Sequence, residues 1–547
     1  YTGGVKHTGK HARAMIDSIL VNGKITTHDP RHAQTSALAI SGGRIVAVGA
    51  DHEILALARP GTRQYNLDGR RVTPGLTDAH LHGQLTARTL SDVNVMNAAK
   101  ADVIARVAER ARTTPPGTWI LGAGWTQELW EGKHFPTRFD LDAVTPDHPV
   151  LLGSKSLHAY WVNSKALEIA GLTRDTPDPE GGQYQRDANG ELTGVVFENV
   201  SAVRAHVPTL TADQIADLLE RTQERMLARG LTGWHDYDGP SCLSALQVLR
   251  ERGRLAMRVV KNVNVPYIEH IIQSGLRWGF GDEWLRLGGL KIFADGALGP
   301  RTAHMLAPYN GEPDNFGVIV TEKAEMQQWV SRASAHGIPS TIHAIGDAAV
   351  RTVLDVYAAV RNEEAARGEH PDQRRHRIEH VQLIHPDDVG RLARMHVIAS
   401  IQPIHAVSDI EMADAYWGER ARLAYNARVQ IDLGAPVAFG SDSPVDTFDP
   451  VIGLYAAVAR RRASDGAPGP EGWYLENRLT LDEALRGYTE GPAYAAGMEQ
   501  RLGRLTAGYL ADLVVWDRDL FDIPLDELPH AQVVGTMTGG VWRFGGV

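Results

Sequence analysis

The sequence predicts an α/β protein: a (β/α)8 TIM barrel, a small β-sandwich formed from both termini, and an α+β subdomain inserted after the first barrel strand. Three observations carry this reading. Short apolar segments alternate with amphipathic ones through the middle of the chain. Both ends share a different texture, of short strands broken by Gly-rich turns. One connection between strands is far too long for a structureless loop.

Residues 1–15, "YTGGVKHTGKHARAM", are polar and lack the apolar segment of a secretory signal. They are expected to be disordered or added by cloning, with Met15 as a natural start, and His7 and His11 are given no metal role. Residues 16–72 read as short strands, "SILVNGKITT" and "SALAISGGRIVAVG", with Asn-Gly and Gly-Gly turns. The same texture returns at 501–547, in "LADLVVWDRD" and "VVGTMTGGVWRFGG", so the two ends are assigned to one sandwich. Residues 73–500 carry the barrel. Its expected strands are "RVTPGLTDAHLH", "LTGWHDYD", "AMRVVKNVNV", "LGGLKIFADG", "IPSTIHAIGD", "RRHRIEHVQ", "HVIASIQP" and "APVAFGSDSP". Amphipathic stretches such as "TADQIADLLERTQERMLARG" lie between most of them. About 150 residues separate the first two strands, too many for a loop. Residues 100–212 are therefore read as the inserted subdomain, with a hairpin at Asn189-Gly190 and a place over the barrel mouth.

Composition narrows the function. Of 547 residues, 43% are hydrophobic and 22% charged, and the net charge is −10, which disfavours nucleic acid as a partner. No run approaches the roughly 18 uncharged apolar residues of a membrane span. A cytoplasmic location is expected, with a homodimer as the default assembly. Cys242 stands alone, so no internal disulfide or thiolate zinc cluster can form, and it is expected to be buried and inert. Any metal must be held by carboxylates and some of the 23 histidines.

Chemistry in such barrels collects where strands end. Strand one ends in His80 and His82, whose alternate spacing turns both imidazoles to one side. Strand four carries Lys291, strand five His343, strand six His380 and strand eight Asp442. A lone histidine in a strand is usually core, a strand lysine snorkels to solvent, and "GSDSP" could simply turn. Six such residues at corresponding strand ends point instead to one site. Trp125 and Trp130 could wall an apolar pocket, with core packing equally expected. The charges of "RNEEAARGEHPDQRR" read as a solvated helix end and loop.

From about residue 16 onward the sequence resembles the metal-dependent amidohydrolase superfamily, in its family-3 branch. The phrases are "VTPGLTDAHLHG", "LHAYWVNSKAL", "GGLKIFADGALGPRTAHM", "TIHAIGDAAV", "RIEHVQLIHPDD", "ASIQPIHAVSD", "VAFGSDSPVDTFDPVIGLYAAVAR", "LTLDEALRGYT" and "GRLTAGYLADLVVWDRD". Pro300 departs from the small polar residue more usual at its position. The resemblance implies two divalent metal ions, with zinc expected first and manganese, iron or cobalt open. His80, His82 and Asp442 would hold one, His343 and His380 the other. Lys291 would bridge them as a carbamate made with carbon dioxide, which requires a neutral amine in apolar surroundings such as Leu290, Ile292 and Phe293. An unmodified Lys291 would leave a mononuclear site on His80, His82 and Asp442. His158, Trp161, Asn163, Gln402 and His405 are candidate substrate contacts.

The expected activity is hydrolysis of a non-peptide carbon–nitrogen bond in a small-molecule amide, N-acyl or N-formyl amine, or cyclic amide. Metal-bound hydroxide would attack and Asp442 would shuttle the proton. A lyase such as a decarboxylase differs in releasing carbon dioxide. Esters and carbamates also suit the same site. A binding protein without catalysis would lack some of the six ligands, and all six are present.

Overall fold

In a computed structural model the described residues are 15–96, 98–155 and 159–547. The expected leader at 1–14, with His7 and His11, lies outside them, as does His158. Two units are present, 1–83 with 220–547, and 84–219.

The first unit holds eight parallel strands in chain order. They are Leu76–Leu81, Leu231–Asp236, Arg258–Asn264, Leu285–Phe293, Ser340–Ala344, Arg377–His380, Ile398–Ile401 and Val437–Phe439, called here barrel strands one to eight. Every neighbouring pair is parallel, and strand one meets the end of strand eight through a parallel bridge between Leu81 and Ser443. Helices such as Pro240–Glu251, Lys323–Ala335 and Asp347–Ala366 make the crossovers. The sequence-based expectation of a TIM barrel is met at all eight strands.

The expected first strand, "RVTPGLTDAHLH", is in fact two. Arg71–Pro74 pairs with Leu513–Trp516 in a six-stranded sheet, whereas Leu76–Leu81 pairs with barrel strand two. The break falls at Gly75, where a Cβ would lie 2.5 Å from the Thr232 side chain. Only glycine lets the chain pass so close while changing sheets. That six-stranded sheet joins Lys24–Thr26 near one end of the chain to Val533–Thr538 near the other. Leu20, Ile40, Val72, Leu513 and Met537 share one core, to which both ends of the chain contribute.

The unit 84–219 has its own six-stranded mixed sheet and its own core. The expected hairpin is there: Gln183–Arg186 runs antiparallel to Leu192–Phe197, with Gly190 at φ +82° in the connection. Trp125, Trp130 and Trp161 pack together with ring centroids 5.9–6.2 Å apart. Each indole N–H donates to a backbone carbonyl, of Leu152, Ala98 and Thr137 respectively. The pocket wall considered for Trp125 and Trp130 is therefore a core, because a buried indole with its one donor satisfied is held in place.

A second correction concerns "RNEEAARGEHPDQRR". Its Glu364 is not solvated but 1% exposed. It accepts hydrogen bonds from Ser334 Oγ at 2.6 Å, His376 Nε2 at 2.8 Å and Arg361 Nη1 at 2.6 Å. Burial opposes its charge, but His376, Ser334 and Arg361 hold its pKa down at about 2. Helical periodicity places Val353, Val360 and Glu364 along one buried side, so the carboxylate enters with the apolar residues and needs partners there. Among the described residues no helix is long and apolar enough to cross a membrane.

Replacing Glu364 by alanine takes the carboxylate away from the buried His376 and Ser334 and from Arg361 Nη1. The expected cost is about 3 kcal/mol, read as a lower urea midpoint with an unchanged slope.

Candidate metal centre

The barrel seam builds the first half of the site. Asp78, buried in strand one, accepts the backbone N–H groups of His80 and Ser441, both at 3.0 Å, and the Ser441 hydroxyl at 2.6 Å. Asp442 N–H donates to the His80 carbonyl at 2.7 Å, and His82 N–H to that of Ser443 at 3.0 Å. The seam thus places the Nε2 atoms of His80 and His82 at 3.5 and 3.4 Å from one oxygen, Asp442 Oδ1. Asp442 takes this position with φ +58°, a left-handed conformation costly for a residue with a Cβ.

The second half stands beside it. His380, at φ +76°, has its ring 5.0 Å from His80 and 4.6 Å from His343. His343 Nε2 meets the Gly296 carbonyl at 2.9 Å, and His380 Nδ1 meets Gln402 Oε1 at 2.8 Å. Each of these rings keeps its other nitrogen for a ligand. His405 joins them: single donor atoms of His380, His405 and Asp442 lie within 4.8 Å of one another.

Lys291 is buried, with Nζ 4.7 Å from the Tyr237 ring centre and 4.5 Å from that of Phe293. Phe293 is thus one wall of its surroundings and Tyr237 the other. Leu290 and Ile292 occupy the alternate face of the strand. Burial, with Arg377 acting in the same direction, lowers the Lys291 pKa to about 8, although Glu379 and Asp442 oppose this.

The electrostatics suit a cation. Burial, then Lys291, lowers the His80 pKa to about 4 and the His343 pKa to about 3, and burial with His343 takes His380 well below its ordinary value. These rings are neutral, the form that ligates metal. His82 differs. Burial works against its charge, but Asp238, 3.1 Å from Nδ1, and Asp442 push its pKa up to about 9. Burial likewise opposes the charge of Asp442, yet the histidines around it, of which His82 is the one that carries a proton, hold its carboxyl well below the usual range. His82 thus stands between two carboxylates. Neutral imidazoles around an anionic carboxylate are the donor set of a divalent ion, so these residues fit one.

Trp161 and Asn163, expected as substrate contacts, lie inside the unit 84–219. Both are fully buried. Asn163 Oδ1 accepts from Val150 and Ala166 N–H, and its Nδ2 donates to Thr145 Oγ1 and the His148 carbonyl. With every polar atom engaged, Asn163 caps a helix and pins two segments; it has nothing left to offer a substrate. Gln402 and His405 are different: Gln402 Nε2 and His405 Nε2 are buried without a hydrogen-bond partner among the described residues. Cys242 is buried, and burial beside Asp236 raises its thiol pKa far above the ordinary value, as its inert reading requires. It forms a cluster with Asp236 and Asp238. Lys261 Nζ already sits 2.9 Å from Asp236 and supplies the positive charge there.

Sequence reasoning missed Asp78, Tyr237, Asp238, Arg377 and Glu379, which hold the candidate ligands in place. One signal was present: "RIEH" has charged residues two apart in a strand, hence on one face.

Comparison with known proteins agrees with this geometry. Residues 63–544 match the model of the amidohydrolase family. The protein YtcJ of Bacillus subtilis (strain 168) is 31% identical over 520 residues, covering 93% of this chain and 95% of its own. N-substituted formamide deformylase of Arthrobacter pascens is 30% identical, with 97% and 98% covered. An uncharacterized metal-dependent hydrolase from Pyrococcus furiosus superposes with a TM-score of 0.76 at 29% identity, over 92% of this chain and 100% of that one. With a barrel closed around histidines and an aspartate, and a family match over most of its length, the chain belongs to the amidohydrolase family.

Proposed function

We propose that the protein is a metal-dependent hydrolase of a carbon–nitrogen bond outside the peptide backbone, in a small amide, N-acyl or N-formyl amine, or cyclic amide. The observation that carries this is the convergence of His80 and His82 Nε2 on one oxygen of Asp442. The relative named as a formamide deformylase supports the bond type.

His80, His82 and Asp442 would hold one divalent ion, zinc in the first instance, and His343 and His380 a second, with Lys291 between them as a carbamate. When bound, such ions polarise a carbonyl and lower the pKa of water from about 15.7 to about 7. The chain's residues do the rest. Asp442, kept ionised by the surrounding histidines, accepts the proton of the attacking water at its carboxylate. It then delivers that proton to the leaving nitrogen, which cannot depart as an anion. Gln402 Oε1 is committed to His380 Nδ1, so Gln402 Nε2 and His405 Nε2 remain to bind substrate oxygen.

A screen of N-formyl and N-acyl amines on zinc-loaded protein should release an amine and a carboxylic acid in equal amounts. Asp442→Asn should fold, keep part of its metal, and lose at least about a hundredfold in kcat. Release of carbon dioxide, or turnover near that of the parent in the variant, rejects this reading.

The Lys291 amine should accept carbon dioxide in its neutral form, which accumulates as pH rises through about 8. At fixed dissolved 13C-labelled carbon dioxide, a carbamate NMR signal should therefore be weak at pH 6, grow through pH 8, and vanish in Lys291→Met.

A further inference from the structure

Beneath His80 lies a group of charges that the proposed reaction does not use. Arg377 and Glu379 are two residues apart on barrel strand six, and both are buried, 2% and 0% exposed. Glu379 Oε2 is 2.7 Å from His80 Nδ1. Its Oε1 accepts the Tyr237 hydroxyl at 2.9 Å and lies 2.9 Å from Arg377 Nε. Arg377 Nη2 donates to Glu379 Oε2 at 3.2 Å, to the Ser400 hydroxyl at 2.7 Å and to the Ala79 carbonyl at 2.8 Å. Its Nη1 lies 2.8 Å from His235 Nδ1. Tyr237 also lies flat on the His80 ring, with centroids 3.9 Å apart and planes 11° from parallel.

Each contact constrains His80. An ionised carboxylate can only accept, so Nδ1 must carry the ring hydrogen and Nε2 the lone pair. Arg377 keeps Glu379 from neutralising itself by taking that proton. The Tyr237 face fixes the ring plane, and the Ala79 carbonyl ties the preceding residue to the same arginine. Nε2 then faces Asp442 Oδ1.

We infer that Glu379, held by Arg377 and Tyr237, is the positioning residue that sets the tautomer and ring orientation with which His80 ligates a cation. A full buried charge is used where a backbone carbonyl would accept equally well, so its anionic character strengthens the donor power of Nε2. The inference rests on the metal-binding reading of His80, His82 and Asp442.

The test is zinc affinity of the metal-stripped full chain, measured by competition with a chromophoric chelator, in parallel with the cobalt(II) absorption spectrum. Glu379→Gln keeps an acceptor but loses the charge, and should weaken zinc binding at least tenfold. Its amide faces Arg377 and could prevent folding. Tyr237→Phe therefore serves as the second variant: it keeps the carboxylate and the stacked ring, and should weaken binding at least threefold and change the cobalt band. A purely structural role would lower the unfolding midpoint and leave affinity in the folded protein unchanged. If the parent protein takes up no zinc, the metal reading itself fails. If the parent binds and a folded variant falls short of its figure, this inference alone is overturned.

Discussion

The closure of the barrel between strands one and eight is the constraint on which the site depends. Asp78 and Ser441 are 363 residues apart, yet the buried Asp78 carboxylate joins them through two hydrogen bonds and accepts a third from His80 N–H in its own strand. The space is tight: a Cβ on Gly440 would come within 2.4 Å of the His80 nitrogen. Each hydrogen bond contributes only about 1 kcal/mol net, but an unclosed seam would cost Asp78 both of its Ser441 partners. The same contacts fix the spacing of the three residues that face one another across it. Barrel closure and the spacing of the candidate site therefore rest on the same contacts at this edge.

The barrel interior separates buried charge into settled and unsettled pairs. Arg377 with Glu379 and Lys261 with Asp236 are settled: each cation meets a carboxylate oxygen at 2.9 Å. Lys291 is buried just as deeply but meets the faces of two aromatic rings. A lysine with a carboxylate partner stays charged, whereas one among rings is more easily deprotonated. Two interior lysines thus stand in different surroundings: Lys261 meets a carboxylate, whereas Lys291 lies between two aromatic rings, where burial lowers its pKa to about 8.

Two of the candidate ligands are held by shapes that ordinary strands avoid. His380, Val381 and Asp442 all have positive φ without being glycine. Such conformations persist only where neighbours impose them. Here the neighbours are the seam hydrogen bonds at Asp442 and the pairing of His380 with Gln402. Both candidate ligands stand at strand ends: His380 closes barrel strand six, and Asp442 follows barrel strand eight.

The sequence by itself determined the eight strands, the joining of both ends in one sheet, the hairpin at Gly190, and which polar residues end the strands. These follow from alternation, turn chemistry and connection length, all local properties of the chain. Tertiary structure alone decided the rest. It split the first strand at Gly75, because Thr232 lies against it. It drew Glu364 into the interior, and it gave Trp161 and Asn163 to a core rather than to a substrate. It also chose which carboxylate stands behind each histidine: Glu379 behind His80 and Asp238 behind His82. Nothing within a few residues of His80 names a partner 299 positions away. Periodicity tells which way a side chain points, but what it meets there is set by strands that come together only when the barrel closes.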